Sequence, residues 1–153
     1  MQTIVICCTL DQISFDFNSY SYGDRILKNI HDNVHEVFYS GQNQGLKDKK
    51  LLESLEQNSL IKIFYRFKTN KNFTFLGDAD NYDIVQYRSV NIGENTEFNE
   101  RLQLRFVLQN ITNTEVPVTT EEGEYCRYKK DVLRYLGYNG TVNYGEGFYI
   151  LDL

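Results

Sequence analysis

The chain has few cysteines and no long apolar run, and these absences limit the compartments in which it works. None of its apolar stretches approaches the ~20 residues that a membrane-spanning helix needs. The opening MQTIVICCTLDQ has no basic segment, and its apolar run is too short for a secretory signal. Cys7, Cys8 and Cys126 are odd in number and lack metal-ligand spacing. We therefore expect a cytoplasmic protein with reduced thiols and no membrane partner.

Catalytic motifs are also absent. The sequence has no G-x-S-x-G nucleophile elbow, no P-loop and no H-E-x-x-H zinc motif. Asp78 and Asp80 follow Gly77 in a turn-like stretch, and the order of residues 129–131 is wrong for a metal-dependent nuclease. We expect a non-catalytic chain that needs no metal and no cofactor.

The chain also has fewer basic than acidic residues, and its net charge is −5. A nucleic-acid binder usually carries a basic face, so this charge argues against simple binding of that kind. The acidity is concentrated, however. Residues 93–125 hold seven glutamates against two arginines, whereas residues 61–92 hold five basic and three acidic side chains. A locally basic strand face is therefore compatible with the sequence.

Aromatic residues are abundant, and their type favours β-structure. The chain has 12 Tyr and 10 Phe but no Trp and only one Pro. Alternating apolar patterns and turn residues predict strands over 3–9, 13–17, 32–40, 60–67, 73–76, 82–90, 102–111 and 148–153.

Two helices are predicted besides a possible helical turn or two over 25–31. The stripe of Leu51, Leu52 and Leu55 predicts a helix over 46–57, and a second helix over 125–135 would end at Gly137. Together the patterns predict one α+β domain over 1–153. Its core would span about 32–111, with a helical appendage and a terminal strand over 125–153.

The central segment resembles a known family. The order FYSGQNQG, helix, IKIFYRF, FTFLG, a strand over 82–88 and LQLRFVLQNI is similar to the SET- and RING-associated (SRA, or YDG) domain. The resemblance covers about 32–111, with Leu76 where the name motif of the family has Asp. It implies a PUA-like curved β-barrel with two or three flanking helices, as in the specificity domains of modification-dependent restriction endonucleases.

The resemblance also implies a binding mechanism. Such domains flip a modified base, 5-methylcytosine or 5-hydroxymethylcytosine, out of double-stranded DNA and read it in a pocket. Tyr39 would stack on the base, and Asp32 would accept a hydrogen bond from the cytosine amino group. Ser40 and Gly41 would offer backbone amides. His31 and Phe75 complete the implied pocket.

The implied DNA-backbone contacts come from the loop, the helix and the central strand: Gln42, Asn43, Lys47, Lys49, Arg66 and Lys68. A nuclease domain or subunit is the implied protein partner.

Plainer interpretations stand beside these. Tyr39 can pack inside the sheet, Asp32 can bond its own backbone in a turn, and the lysines can form a solvated helix face. Two other functions also remain open: a PUA-like module that binds RNA or a nucleotide, and a non-catalytic protein–protein adaptor whose pocket is filled.

Overall fold

We describe the fold from a computed structural model of the chain. It describes residues 2–10, 24–29, 34–40, 45–67, 72–91, 98–109, 116–119, 129–138 and 147–152. The predicted strand over 13–17 lies outside these residues.

The first sheet, sheet A, has five strands in the order β8-β5-β4-β1-β9. In chain order its strands are β1 (Gln2–Leu10), β4 (Leu60–Phe67), β5 (Thr74–Asp78), β8 (Val116–Pro117) and β9 (Phe148–Asp152). The neighbours β1 and β4 are parallel, with Thr3 opposite Leu60 and Leu10 opposite Phe67. The other pairs are antiparallel. The predicted strands over 3–9 and 60–67 are therefore confirmed.

The second sheet, sheet B, is an antiparallel sheet of four strands in the order β2-β3-β7-β6. Its strands are β2 (Arg25–Asn29), β3 (Val34–Ser40), β6 (Asn81–Asn91) and β7 (Phe98–Leu108). The prediction of helical turns over 25–31 is wrong for residues 25–29, which form β2. That stretch extends along β3, with Ile26 opposite Val37, because pairing with another strand decides its conformation.

The two sheets enclose the larger hydrophobic core, which we call the inter-sheet core. Alternate residues of β1 and β4 fill one side of it, and Val37, Tyr39, Leu104 and their neighbours on sheet B fill the other. Helix α1 (Gly45–Glu56) adds the buried Leu51 and Leu55, as its leucine stripe predicts.

The opposite face of sheet A carries a second core, which we call the helix-side core. Helix α2 (Lys129–Tyr135) packs Val132 and Leu133 there, against residues in or next to the strands of sheet A: Val5, Cys7, Phe64, Phe73, Tyr149 and Leu151. Residue Gly137 follows the helix with a φ of 87°. The Tyr138 amide donates to the Leu133 carbonyl and the Gly137 amide to the Arg134 carbonyl, which is a Schellman cap. The predicted stop at Gly137 is confirmed.

The observed architecture supports the α+β class. The described part of the chain is mostly β-structure with two helices, and its strands form two sheets rather than a closed barrel. The strands β1 and β9, which fall outside 32–111, pair with each other inside sheet A. Because α2 covers the same sheet, the segment predicted as an appendage supplies part of the core.

Candidate nucleic-acid interface

A group of polar contacts lies at one edge of the molecule, where strands of both sheets end. Since β1 and β4 are parallel, their carboxyl-terminal ends meet at the same edge of sheet A. The chain leaves the described structure there after Leu10 and Phe67, and it leaves sheet B after Ser40. Binding residues are commonly located where several strands of a rigid sheet end together.

One carboxylate connects the two sheets at this edge. The Ser40 amide of β3 donates to Asp24 Oδ1 at 3.0 Å, and the Thr9 amide of β1 donates to Asp24 Oδ2 at 3.4 Å. All three residues are partly buried. Asp24 immediately precedes β2, so strands from both sheets converge on a single side chain.

A guanidinium extends the same chain of contacts across sheet A. Arg66 Nε donates to Thr9 Oγ1 at 3.1 Å, and its Cζ lies 4.7 Å from the centroid of the Phe73 ring. A cation over an aromatic face is attracted to the electron density of the ring, so two contacts orient Arg66. We call Thr9, Asp24, Ser40 and Arg66 the polar corner.

A buried acceptor is found on the residue before Phe73, the aromatic residue that Arg66 contacts. Within the described part of the chain, Asn72 has a buried Oδ1 with no hydrogen-bond partner. It directly precedes Phe73, whose ring lies beneath Arg66. A buried acceptor of this kind is a group that a bound donor would satisfy.

The structure corrects the predicted setting of Tyr39. A stacking role at an open pocket requires an accessible ring, but Tyr39 is 0% exposed and belongs to the inter-sheet core. It lies opposite Leu104 in the β3–β7 pairing and on the same face as Val37. The physical reason is the alternation of the strand, which points residue 39 inward and leaves Ser40 partly exposed.

Phe75 is separated from Tyr39 by sheet A, so the two rings do not share a pocket. Phe75 packs at the margin of the helix-side core, 4.9 Å from the Phe64 ring, with Lys62 Nζ 5.5 Å from its own ring centroid.

Among the predicted DNA-backbone contacts that the structure describes, Arg66 alone lies in the polar corner. Lys49 is exposed on α1, and Lys47 belongs to the same helix. The remaining predicted positions lie outside the described residues: His31, Asp32, Gly41, Gln42, Asn43 and Lys68.

The sequence analysis missed Asp24, Thr9 and Phe73 as site residues. Asp24 ends the turn-like stretch NSYSYGD, where Asp is already explained by turn preference. Its partners are 15 and 16 residues away in the sequence. A usable signal is the position of these residues in the predicted strands: Thr9 is the last residue of 3–9, and Arg66 lies one residue before the end of 60–67.

A separate charged group lies on the other face of sheet B. Arg105 donates to Glu36 at 2.8 Å and to Asp83 at 2.6 Å. The hydrogen bond to Glu36 is the main cause that raises the pKa of Arg105. Because the carboxylates of Glu36 and Asp83 already bind the Arg105 guanidinium, we interpret these three residues as structural.

Compared with models of known protein families, with curated proteins and with solved structures, the chain matches none. Within the described ranges, no three His, Cys, Asp or Glu side chains are grouped to hold a metal ion. Neither of the two described helices has the length and apolar character to cross a membrane.

Proposed function

We propose that the chain is a DNA-binding specificity domain that recognises 5-methylcytosine or 5-hydroxymethylcytosine by base flipping, within a modification-dependent restriction system. We further propose that the two sheets correspond to the PUA-like curved β-barrel that the SRA resemblance implies, although their described strands do not close into a barrel. The observation that carries the proposal is the polar corner, because it joins two separate motifs of the resemblance. Ser40 belongs to the FYSGQNQG loop motif and Arg66 to the IKIFYRF strand, and both lie at one edge.

The chemistry of the corner fits a nucleic-acid backbone. Arginine presents a planar fork of donors that matches phosphate oxygens, and Arg66 is already oriented by Thr9 and the Phe73 ring. Orientation before binding reduces the side-chain entropy that is lost when the phosphate is engaged. In this proposal Arg66 contacts phosphate, while Asp32, Ser40 and Gly41 read the flipped base.

The burial of Tyr39 changes one part of the mechanism. Flipping a base out of the duplex costs a few kcal/mol. The free energy gained from stacking on the base and from hydrogen bonds to its edge must exceed this cost. Since the Tyr39 ring has no exposed surface, that stacking has to come from another ring. Tyr39 instead supports the strand from which the loop motif leaves.

Binding of matched duplexes tests the proposal. Fluorescence anisotropy would compare unmodified, 5-methylcytosine and 5-hydroxymethylcytosine duplexes at stated salt between about 50 and 200 mM, because phosphate contacts make affinity salt-dependent. We expect tighter binding to one modified duplex, with the preference lost in Asp32→Ala. Equal affinity for all duplexes at low salt would contradict the proposal.

Arg66→Gln separates backbone contact from base reading. We expect weaker binding to every duplex and a salt slope smaller by about 1, because one phosphate contact is removed. Lys62→Gln is the matched control, since it removes the same charge from the same strand at a side chain that pairs with Asp78 at 3.0 Å. An unchanged salt slope in Arg66→Gln would remove Arg66 from the interface.

A protein–protein adaptor is the second candidate, and a specific observation favours it. Tyr39 fills the interior where the resemblance expects an open pocket, and the net charge is −5. The same titrations separate the two functions. Absence of binding to DNA and to single-stranded RNA at low salt favours the adaptor, whereas preference for single-stranded RNA indicates the RNA-binding alternative.

A further inference from the structure

Asp24 uses its two carboxylate oxygens on two different sheets. Oδ1 accepts from the amide of Ser40 in sheet B, and Oδ2 accepts from the amide of Thr9 in sheet A. A carboxylate is acceptor-only, so one Asp side chain can serve two amides at once. An Asn at this position would offer one oxygen and would turn an NH₂ group toward the second amide.

Both amides belong to residues at which strand pairing has ended on one side of the strand but continues on the other. The pairing of β1 with β9 runs as far as Ile6 and Phe148, and the Cys7 amide then donates to the Gly147 carbonyl. Thr9 is two residues further along β1. On sheet B, the pairing of β2 with β3 ends at Arg25 and Phe38, two residues before Ser40. Thr9 is still paired with β4 and Ser40 with β7, so Asp24 supplies an acceptor only for the other side of each strand, where pairing with β9 or β2 has ended.

The bond to Thr9 also connects Asp24 to Arg66. The Thr9 backbone amide is bound by Asp24, while the Thr9 side-chain oxygen accepts from Arg66 Nε. The Asp24 carboxylate thus links the position of the Arg66 guanidinium on sheet A to the position of Ser40 on sheet B.

We infer that Asp24 is a positioning residue that fixes the spacing between Arg66 and Ser40, and that this spacing sets selectivity for the modified base. The inference rests on the proposed function. Arg66 would hold the phosphate while Ser40 takes part in reading the base, so recognition of both at once depends on the distance between them.

The first part of the test measures the two hydrogen bonds without any ligand. Amide hydrogen exchange, followed residue by residue by NMR, is expected to show protected Thr9 and Ser40 amides in the wild-type chain. Asp24→Ala should raise both exchange rates about tenfold or more, the scale of one lost charge-assisted hydrogen bond. Unprotected amides in the wild type would overturn the inference even if the variants do not fold.

The second part measures the ratio of the dissociation constants for unmodified and modified duplexes. We expect Asp24→Asn to reduce this ratio about tenfold while the variant remains folded by thermal unfolding. Asp78→Asn is the control, because it makes the same charge change at a surface ion pair of sheet A, and its ratio should stay within about twofold of wild type.

The outcomes distinguish the inference from the proposed function. Protected amides and a reduced ratio support both. A wild-type chain that binds no duplex overturns the proposed function, and with it the role of Asp24 in selectivity, while the exchange data still define the hydrogen bonds. A preserved ratio in a folded Asp24→Asn variant, with lower thermal stability only, overturns the inference and leaves the proposed function intact.

Discussion

Replacing Tyr39 tests the most consequential correction that the structure makes. The ring is fully buried in the inter-sheet core, opposite Leu104 and beside Val37. Removing a buried aromatic ring typically destabilises a protein by about 3–5 kcal/mol, from lost burial and from the cavity that remains. At about 2–4 °C per kcal/mol for a chain of this length, we expect Tyr39→Ala to lower the melting temperature by about 6–20 °C.

The measurement is urea unfolding followed by circular dichroism, with thermal unfolding in parallel. Tyr39→Phe is the first control, because it keeps the ring volume and is expected to change the free energy of unfolding by less than about 1.5 kcal/mol. Tyr135→Ala is the second control. Tyr135 is 44% exposed and contacts Phe64 edge-on at 6.3 Å, so its loss should also stay below about 1.5 kcal/mol.

A specific result would refute this reasoning about the core. If Tyr39→Ala unfolds within about 1 kcal/mol of wild type but loses its preference for a modified duplex, the ring acts on a ligand and the sequence interpretation was right. If stability falls as expected and the Tyr39→Phe variant keeps the binding of wild type, the ring is a structural support.

Two further predictions concern α2 and its end. Leu133→Ala should destabilise the chain by about 2–5 kcal/mol in urea unfolding, because Leu133 is 2% exposed in the helix-side core. The exposed control Arg134→Ala should change the free energy of unfolding by less than about 0.5 kcal/mol. An equally small change in Leu133→Ala would indicate that α2 is an appendage and not part of the core. Gly137→Ala should cost about 1–2 kcal/mol from backbone strain alone, because φ is 87° and no atom lies within 4 Å of the added Cβ. Gly137→Asn should cost less, since Asn tolerates this conformation, and equal melting temperatures for wild type and Gly137→Ala would contradict the strain argument.

Local patterns predicted the elements whose conformation depends on their own residues. The leucines at 51, 52 and 55 gave α1 to within a residue at each end, and the β-branched and aromatic stretch 60–67 gave β4 with the same bounds. The stop at Gly137 followed from the preference of glycine for positive φ. In each case the determining interaction lies within a few residues of the sequence.

The incorrect predictions depended on contacts between distant parts of the chain. The stretch at 25–29 is a strand because it pairs with β3. The setting of Tyr39 depended on which face of β3 meets the other sheet, and both faces carry apolar residues, since Phe38 is 2% exposed on the face opposite Tyr39. Asp24 was unpredictable as a link because its partners lie on strands of different sheets. The sequence thus led to Ser40 and Arg66 as predicted site residues, but not to the Asp24 side chain that links their positions.

The pairing of Gln2 with Asp152 has a consequence for how the molecule is made. During synthesis, β1 emerges before β9, so one side of β1 has no neighbour until residues 148–152 have been added. Until then that border of β1 presents unpaired amides and carbonyls, which other chains can bind. Such distant pairing slows folding, so premature termination before β9 should yield a product that aggregates.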